Sequence, residues 1–130
     1  MFIQIDLSNG LAIYDQVVRQ VKFAIAQGAL KPGNRIASVR ELAKELAINP
    51  NTVARAYQQL QADGVLEMVR GLGLEVSATA VKQCRVERQK LVQARLRQAL
   101  VEAQQSGLTG DELRQLVDTE LSALLRERRS

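Results

Sequence analysis

The stretch "LAINPNTVARAYQQL" (46–60) contains both a helix start and a helix with two unlike faces. Asn49 supplies a side-chain oxygen for an N-cap, and Pro50 follows at the first helical position, where its missing N–H costs nothing. At about 100° per residue, Tyr57 and Leu60 lie within about 40° of Val53, and Ala56 lies about 60° away. Asn51, Arg55 and Gln58 fall on the opposite side, with Thr52 and Gln59 on the flank. The helix ends near Ala62, at Asp63-Gly64, and no carboxylate occurs between Glu45 and Asp63. The outward groups are therefore amides, a hydroxyl and a guanidinium. These are the groups that read base edges: Asn or Gln pairs with adenine, Arg with guanine, and Thr reaches a base or a phosphate. Asn51 and Thr52 occupy the first turn, the part of a recognition helix that meets the major groove. Any surface helix turns polar groups outward, so this face needs its context.

Upstream, Ser38 and Glu41 form a capping box. It opens a helix over about 39–47 that buries Val39, Leu42, Ala43 and Leu46. Downstream, "VLEMV" (65–69) and "LEVS" (74–77) flank "RGLG" (70–73) and read as a hairpin. A short helix, a tight turn, a second helix and a hairpin are the layout of a winged helix-turn-helix. Arg40 points away from the apolar stripe of its helix and is a candidate to hold a phosphate beside the helix N-terminus. Lys44, one turn on, is a further phosphate candidate, and Asn49 joins the DNA-contact set. Arg70 and Gly71 begin the hairpin loop, where glycine permits close backbone approach and arginine suits a narrow minor groove.

At the start, "FIQIDL" (2–7) alternates, with Ile3, Ile5 and Leu7 on one side, and predicts a short strand ended by Ser8-Asn9-Gly10. From Ile13 to Gln27 the period becomes helical. Tyr14, Val17, Val18, Val21, Ala24 and Ile25 share a stripe, and Gly28 is a C-cap. After Ala78 the composition shifts. Residues 80–105 contain no proline or glycine and read as one long helix with a thin stripe of Val92, Leu96, Leu100 and Ala103. "SGLTGDEL" (106–113) breaks it, and a Thr109–Glu112 capping box opens a last helix. There Leu113, Leu116, Val117, Leu121 and Leu124 form a stripe too apolar to leave in water. It is expected to fold back on the preceding helix and to serve as a dimer interface.

The segment "RIASVRELAKELAINPNTVARAYQQLQADGVLEMVRGLG" (35–73) resembles the DNA-binding domain of GntR-family bacterial transcription regulators. "SVREL", "NPNTVARAY" and "RGLG", followed by a tail of some fifty residues, resemble the YtrA-like subfamily. The resemblance covers about residues 11–76. It implies a homodimer on an inverted-repeat operator, with DNA contacts from Arg40, Asn51, Thr52 and the wing at Arg70 and Gly71. It also implies repression of an operon encoding a membrane transporter. Three positions depart from the family pattern: Ala37 stands for proline, Ala47 for glycine, and Leu74-Glu75 for Thr-Phe.

The fold expected is mainly α with a small β wing: a winged helix-turn-helix domain over 1–78, then a two-helix dimerisation extension over 79–130. The net charge of +4 permits an anionic partner without demanding one. Residues 1–78 carry 8 Lys and Arg against 7 Asp and Glu, and residues 79–130 carry 10 against 7. Lys82, Arg85 and Arg88, just past the wing, are candidates for added phosphate contacts. The chain has no histidine and one cysteine, Cys84, which removes zinc fingers, Cys-His nucleophiles and disulfide frameworks. No phosphate loop or nucleophile–base pair suggests an enzyme, and no cofactor or metal is expected. With no signal-peptide pattern and no bilayer-length apolar run, the expectation is a cytoplasmic protein. The alternative reading is a winged-helix module that docks on protein or RNA. Such a surface calls for an aromatic or aliphatic anchor, and the outward face of helix 50–62 has none. The sequence names no small-molecule effector.

Overall fold

The computed structural model describes residues 3–8 and 10–129. Among these described residues, five helices and one hairpin follow in order: α1 Ile13–Gln27, α2 Val39–Leu46, α3 Pro50–Ala62, β1 Leu66–Val69, β2 Gly73–Val76, α4 Ala80–Gln105 and α5 Gly110–Arg129. The chain divides into two compact units, residues 1–89 and 90–130, so the division falls inside α4. Among the described residues no helix is long and apolar enough to cross a membrane.

In the first unit α3 packs against α1, α2 and β1. Val17, Val21 and Ile25 of α1 meet Leu42 of α2 and Val53, Ala56, Tyr57 and Leu60 of α3, all buried. Leu66 and Val76 close the core from the hairpin, and Ala80 and Cys84 from the first turns of α4. Each buried Leu or Ile contributes about 1.5–3 kcal/mol. Tyr57 is the one polar-tipped member, and its hydroxyl donates to the Ala37 carbonyl at 2.7 Å. Burial, then the charges of Glu41 and Glu45, push its phenol well above the usual range. It therefore stays protonated and able to donate.

The ends of the helices are built as their sequences dictate. Gly28 caps α1 in the left-handed conformation, its N–H bonded to the carbonyls of Ala24 and Ile25. Ser38 and Glu41 form both bonds of the capping box on α2. Asn49 caps α3 by accepting the Asn51 N–H at 2.8 Å, with Pro50 opening the helix. β1 and β2 pair antiparallel, Leu66 with Val76 through to Val69 with Gly73. Beyond the expected hairpin, residues 34–36 run along the outer edge of β2. Arg35 bridges Glu75 there, the Ile36 N–H donates to Leu74 at 3.1 Å, and the Val76 N–H donates to Asn34 at 2.9 Å.

The expected strand at 2–7 does not form, although Phe2 lies outside the described residues. Residues 3–6 have no regular secondary structure and, among the described residues, no strand partner. Two glutamines of α1 stand in for one. The Gln20 side chain accepts from the Gln4 N–H at 2.8 Å and donates to the Gln4 carbonyl at 2.6 Å. Gln16 does the same to Asp6, at 2.8 and 2.7 Å. Side-chain amides four residues apart on a helix thus satisfy alternate residues, as a neighbouring backbone would. Ile3 is buried, but Leu7 is 84% exposed, so the expected shared face stops at Ile5.

The second unit is described by itself. Gly107, at φ 97°, ends α4, and Thr109 and Glu112 exchange the two capping-box bonds at 3.1 and 3.2 Å. Leu113 is buried, while Leu116, Val117, Leu121, Leu124 and Leu125 are exposed. Leu100, Val101, Leu113 and Val117 line an open groove flanked by Arg97 and Arg114.

Candidate nucleic-acid interface

The two faces of α3 separate as its periodicity requires. Val53, Ala56, Tyr57 and Leu60 are buried, Asn51, Arg55, Gln58 and Gln59 are exposed, and Thr52 is half-buried. The apolar face pins the helix from behind, so its first turn is held at a fixed height above the core. The carbonyl oxygen of the Asn49 amide is spent on its cap, and this residue stays exposed at the rim of the first turn. Gln59 donates to Asp63 at 2.9 Å, which draws it toward the C-terminal end of the helix and away from the reading turn.

Arg55 is held by α1. Its guanidinium lies over the Tyr14 ring, 3.8 Å from the ring centroid. Sequence reasoning placed Tyr14 on the core stripe of α1, and it is half-buried there. Its role beneath Arg55 was missed. No local pattern links the first turn of α1 to the second turn of α3.

Arg40 and Lys44 are exposed on α2. The neighbouring Glu41 carboxylate is turned back to the Ser38 N–H, and among the described residues no ion pair engages Arg40, Lys44 or Arg70. These cations are therefore free to meet an anion without first breaking a salt bridge. In the wing the Leu72 N–H closes a turn onto the Val69 carbonyl at 2.9 Å, with Gly71 at φ 79° inside it. A side chain resists that conformation, so the turn that presents Arg70 requires this glycine. Glu75 does not reach the tip. It sits opposite Glu67 in the hairpin and beside Arg35.

Of the candidates after the wing, Lys82 and Arg85 are exposed and Arg88 is half-buried. The Arg85 Nε donates to the Ala26 carbonyl at 3.2 Å, in the last turn of α1. A cation there also meets the negative end of the α1 dipole. Nearby, Lys22 is buried and bonded to Asp63 at 2.9 Å and Glu87 at 2.6 Å. Burial disfavours its charge, but the hydrogen bonds to Glu87 and Asp63 outweigh that and raise its pKa above 10.5. Asp63 closes the C-terminal end of α3 and its carbonyl also accepts from Gln83. Lys22 thus ties α1, α3 and the start of α4 together. Beneath it the Cys84 thiol is pushed up to about 11, first by burial and then by Glu87. At neutral pH it is a core thiol with little thiolate character.

A helix pinned from behind, with an acid-free polar face, a free arginine and lysine on the preceding helix and a glycine-built wing, defines a winged-helix DNA-binding regulator. The family model of bacterial regulatory proteins, gntR family, matches residues 13–76, from α1 to the end of β2. The HTH-type transcriptional repressor YtrA of Bacillus subtilis (strain 168) is 35% identical over 93% of this chain and 92% of its own. A GntR family transcriptional regulator from Listeria monocytogenes has a similar structure, with TM-score 0.71 and 26% identity over 87% of this chain and 98% of that one. The AraR(DBD), solved in complex with operator ORX1, is similar with TM-score 0.50 and 31% identity over 57% of this chain and 90% of its own. The chain belongs to the gntR family of bacterial transcription regulators and is YtrA-like within it.

Proposed function

We propose that this regulator acts as a homodimeric, sequence-specific repressor on an inverted-repeat operator. The reading rests above all on the exposed, carboxylate-free face of α3. Asn51, Thr52 and Arg55 read base edges in the major groove, with Asn49 at the rim. Arg40 and Lys44 hold phosphates beside them, and Arg70 and Gly71 bring the wing to the minor groove. Lys82, Arg85 and Arg88 add phosphate contacts after the wing; for Arg85 the bond to Ala26 engages only Nε, leaving its terminal nitrogens as donors. The exposed leucines of α5 join two chains, and the dimer places two reading helices on a palindrome. An operator-bound structure of a similar domain and a similar repressor support this assignment. The YtrA-like resemblance extends it to an operon that encodes a membrane transporter.

The test is a selection of DNA duplexes with a randomised core by the purified protein. A palindromic preference is expected. Arg55→Ala should cost about 1–3 kcal/mol on the selected duplex and relax preference at one base pair. Arg40→Ala should weaken all duplexes alike and lower the salt slope by about one. A wild-type protein that enriches no sequence would reject the reading. Two variants that behave alike would reject the division of labour.

A further inference from the structure

We infer that Tyr14 is a positioning residue for Arg55, and through it a determinant of base preference; the inference rests on the reading of α3 proposed above. An exposed arginine ordinarily samples many rotamers, and ordering it on a ligand has an entropic cost. Here the guanidinium already lies over a ring, 3.8 Å from its centroid. That ring is itself fixed, because Tyr14 packs against the core formed by α1 and α3. The ring face attracts the guanidinium through its charge, so its N–H donors remain available for a planar acceptor pair such as a guanine edge. No acid competes for them: α3 has no carboxylate, and among the described residues no salt bridge engages Arg55. Asp15, next to Tyr14 on α1, makes no ion pair with it either. The first turn of α1 therefore sets where the α3 arginine can reach, so a residue outside the helix-turn-helix helps to choose the base.

The full-length protein and its Tyr14→Phe, Tyr14→Leu, Arg55→Ala and Tyr14→Leu/Arg55→Ala variants are tested on a pool of duplexes with a randomised core. Affinities are then measured on the duplex that wild type selects and on its single-base-pair variants. Tyr14→Phe, which keeps the ring face, should select as wild type does. Tyr14→Leu should lose about two- to fivefold in affinity for the selected duplex. It should flatten preference at the same base pair as Arg55→Ala, and the double variant should lose nothing beyond Arg55→Ala. Unchanged selection by Tyr14→Leu would overturn the inference alone, as would a loss equal on every duplex or fully additive with Arg55→Ala. Unchanged selection by Arg55→Ala would instead overturn the assignment of Arg55 as a base reader, and the inference with it.

Discussion

Ala47 ends α2 with φ 54°, the one non-glycine residue in the left-handed region among the described residues. Its N–H bonds to the carbonyls of Ala43 and Lys44, so the conformation is required by the cap. A β-carbon there costs about 1–2 kcal/mol, and the family resemblance has glycine at this position. Ala47→Gly relieves that strain and gives back part of the gain as chain entropy. A net stabilisation of about 0.5–1 kcal/mol is expected, read from the midpoint of urea unfolding; an unmoved or lowered midpoint would contradict it. Lys22 makes a pH-dependent contribution. Its folded-state pKa is raised above 10.5, so its ion pairs stabilise the protein fully below that value. The stability is lost as pH rises through the folded-state pKa. Relative to Lys22→Met, wild type should lose stability steadily above pH 10.5, measured by unfolding at stepped alkaline pH. A gap between the two that stays constant would rule out the linkage.

In the wing, Glu67 and Glu75 stand directly opposite each other on antiparallel strands, an arrangement that is unfavourable for like charges. Glu67→Lys is expected to stabilise the hairpin by about 0.2–1 kcal/mol, seen as slower amide exchange at Ser77, whose N–H donates across the hairpin to Val65; unchanged exchange would count against it. The helices and hairpin were legible because their signals are local. Capping boxes span four residues, the stripes of α1 and α3 repeat within a turn, and "RGLG" marks its own loop. The N-terminal segment misled for the same reason. Its alternation is that of a strand edge, but its partners are Gln16 and Gln20, and a helix face that imitates a strand leaves no trace in the period of residues 2–7. The edge pairing of Arg35 with Glu75 was hidden likewise, since the two residues lie far apart in the chain and no local period links them.

Across the chain, the two units differ in how they cover their apolar groups. The first buries its own core. The second buries Leu113 but leaves Leu116, Leu121, Leu124 and Leu125 about half exposed. A stripe of that kind favours a partner surface. Under the proposed dimer, Leu116→Asp with Leu121→Asp should shift the protein from dimer to monomer in sedimentation. It should also abolish the concentration dependence of wild-type melting while the first unit stays folded. A wild type that sediments as a monomer at all concentrations would refute the dimer.

By itself the amino-acid order determined the helices, their caps, the hairpin and the two faces of α3, because each depends on residues close by in the chain. Only the tertiary structure decided that Tyr14 underlies Arg55, that Lys22 meets Asp63 and Glu87, and that Gln16 and Gln20 hold Gln4 and Asp6. Those contacts depend on how α1 lies against its neighbours. That placement is a compromise among all the buried side chains at once, and no periodicity along the chain encodes it.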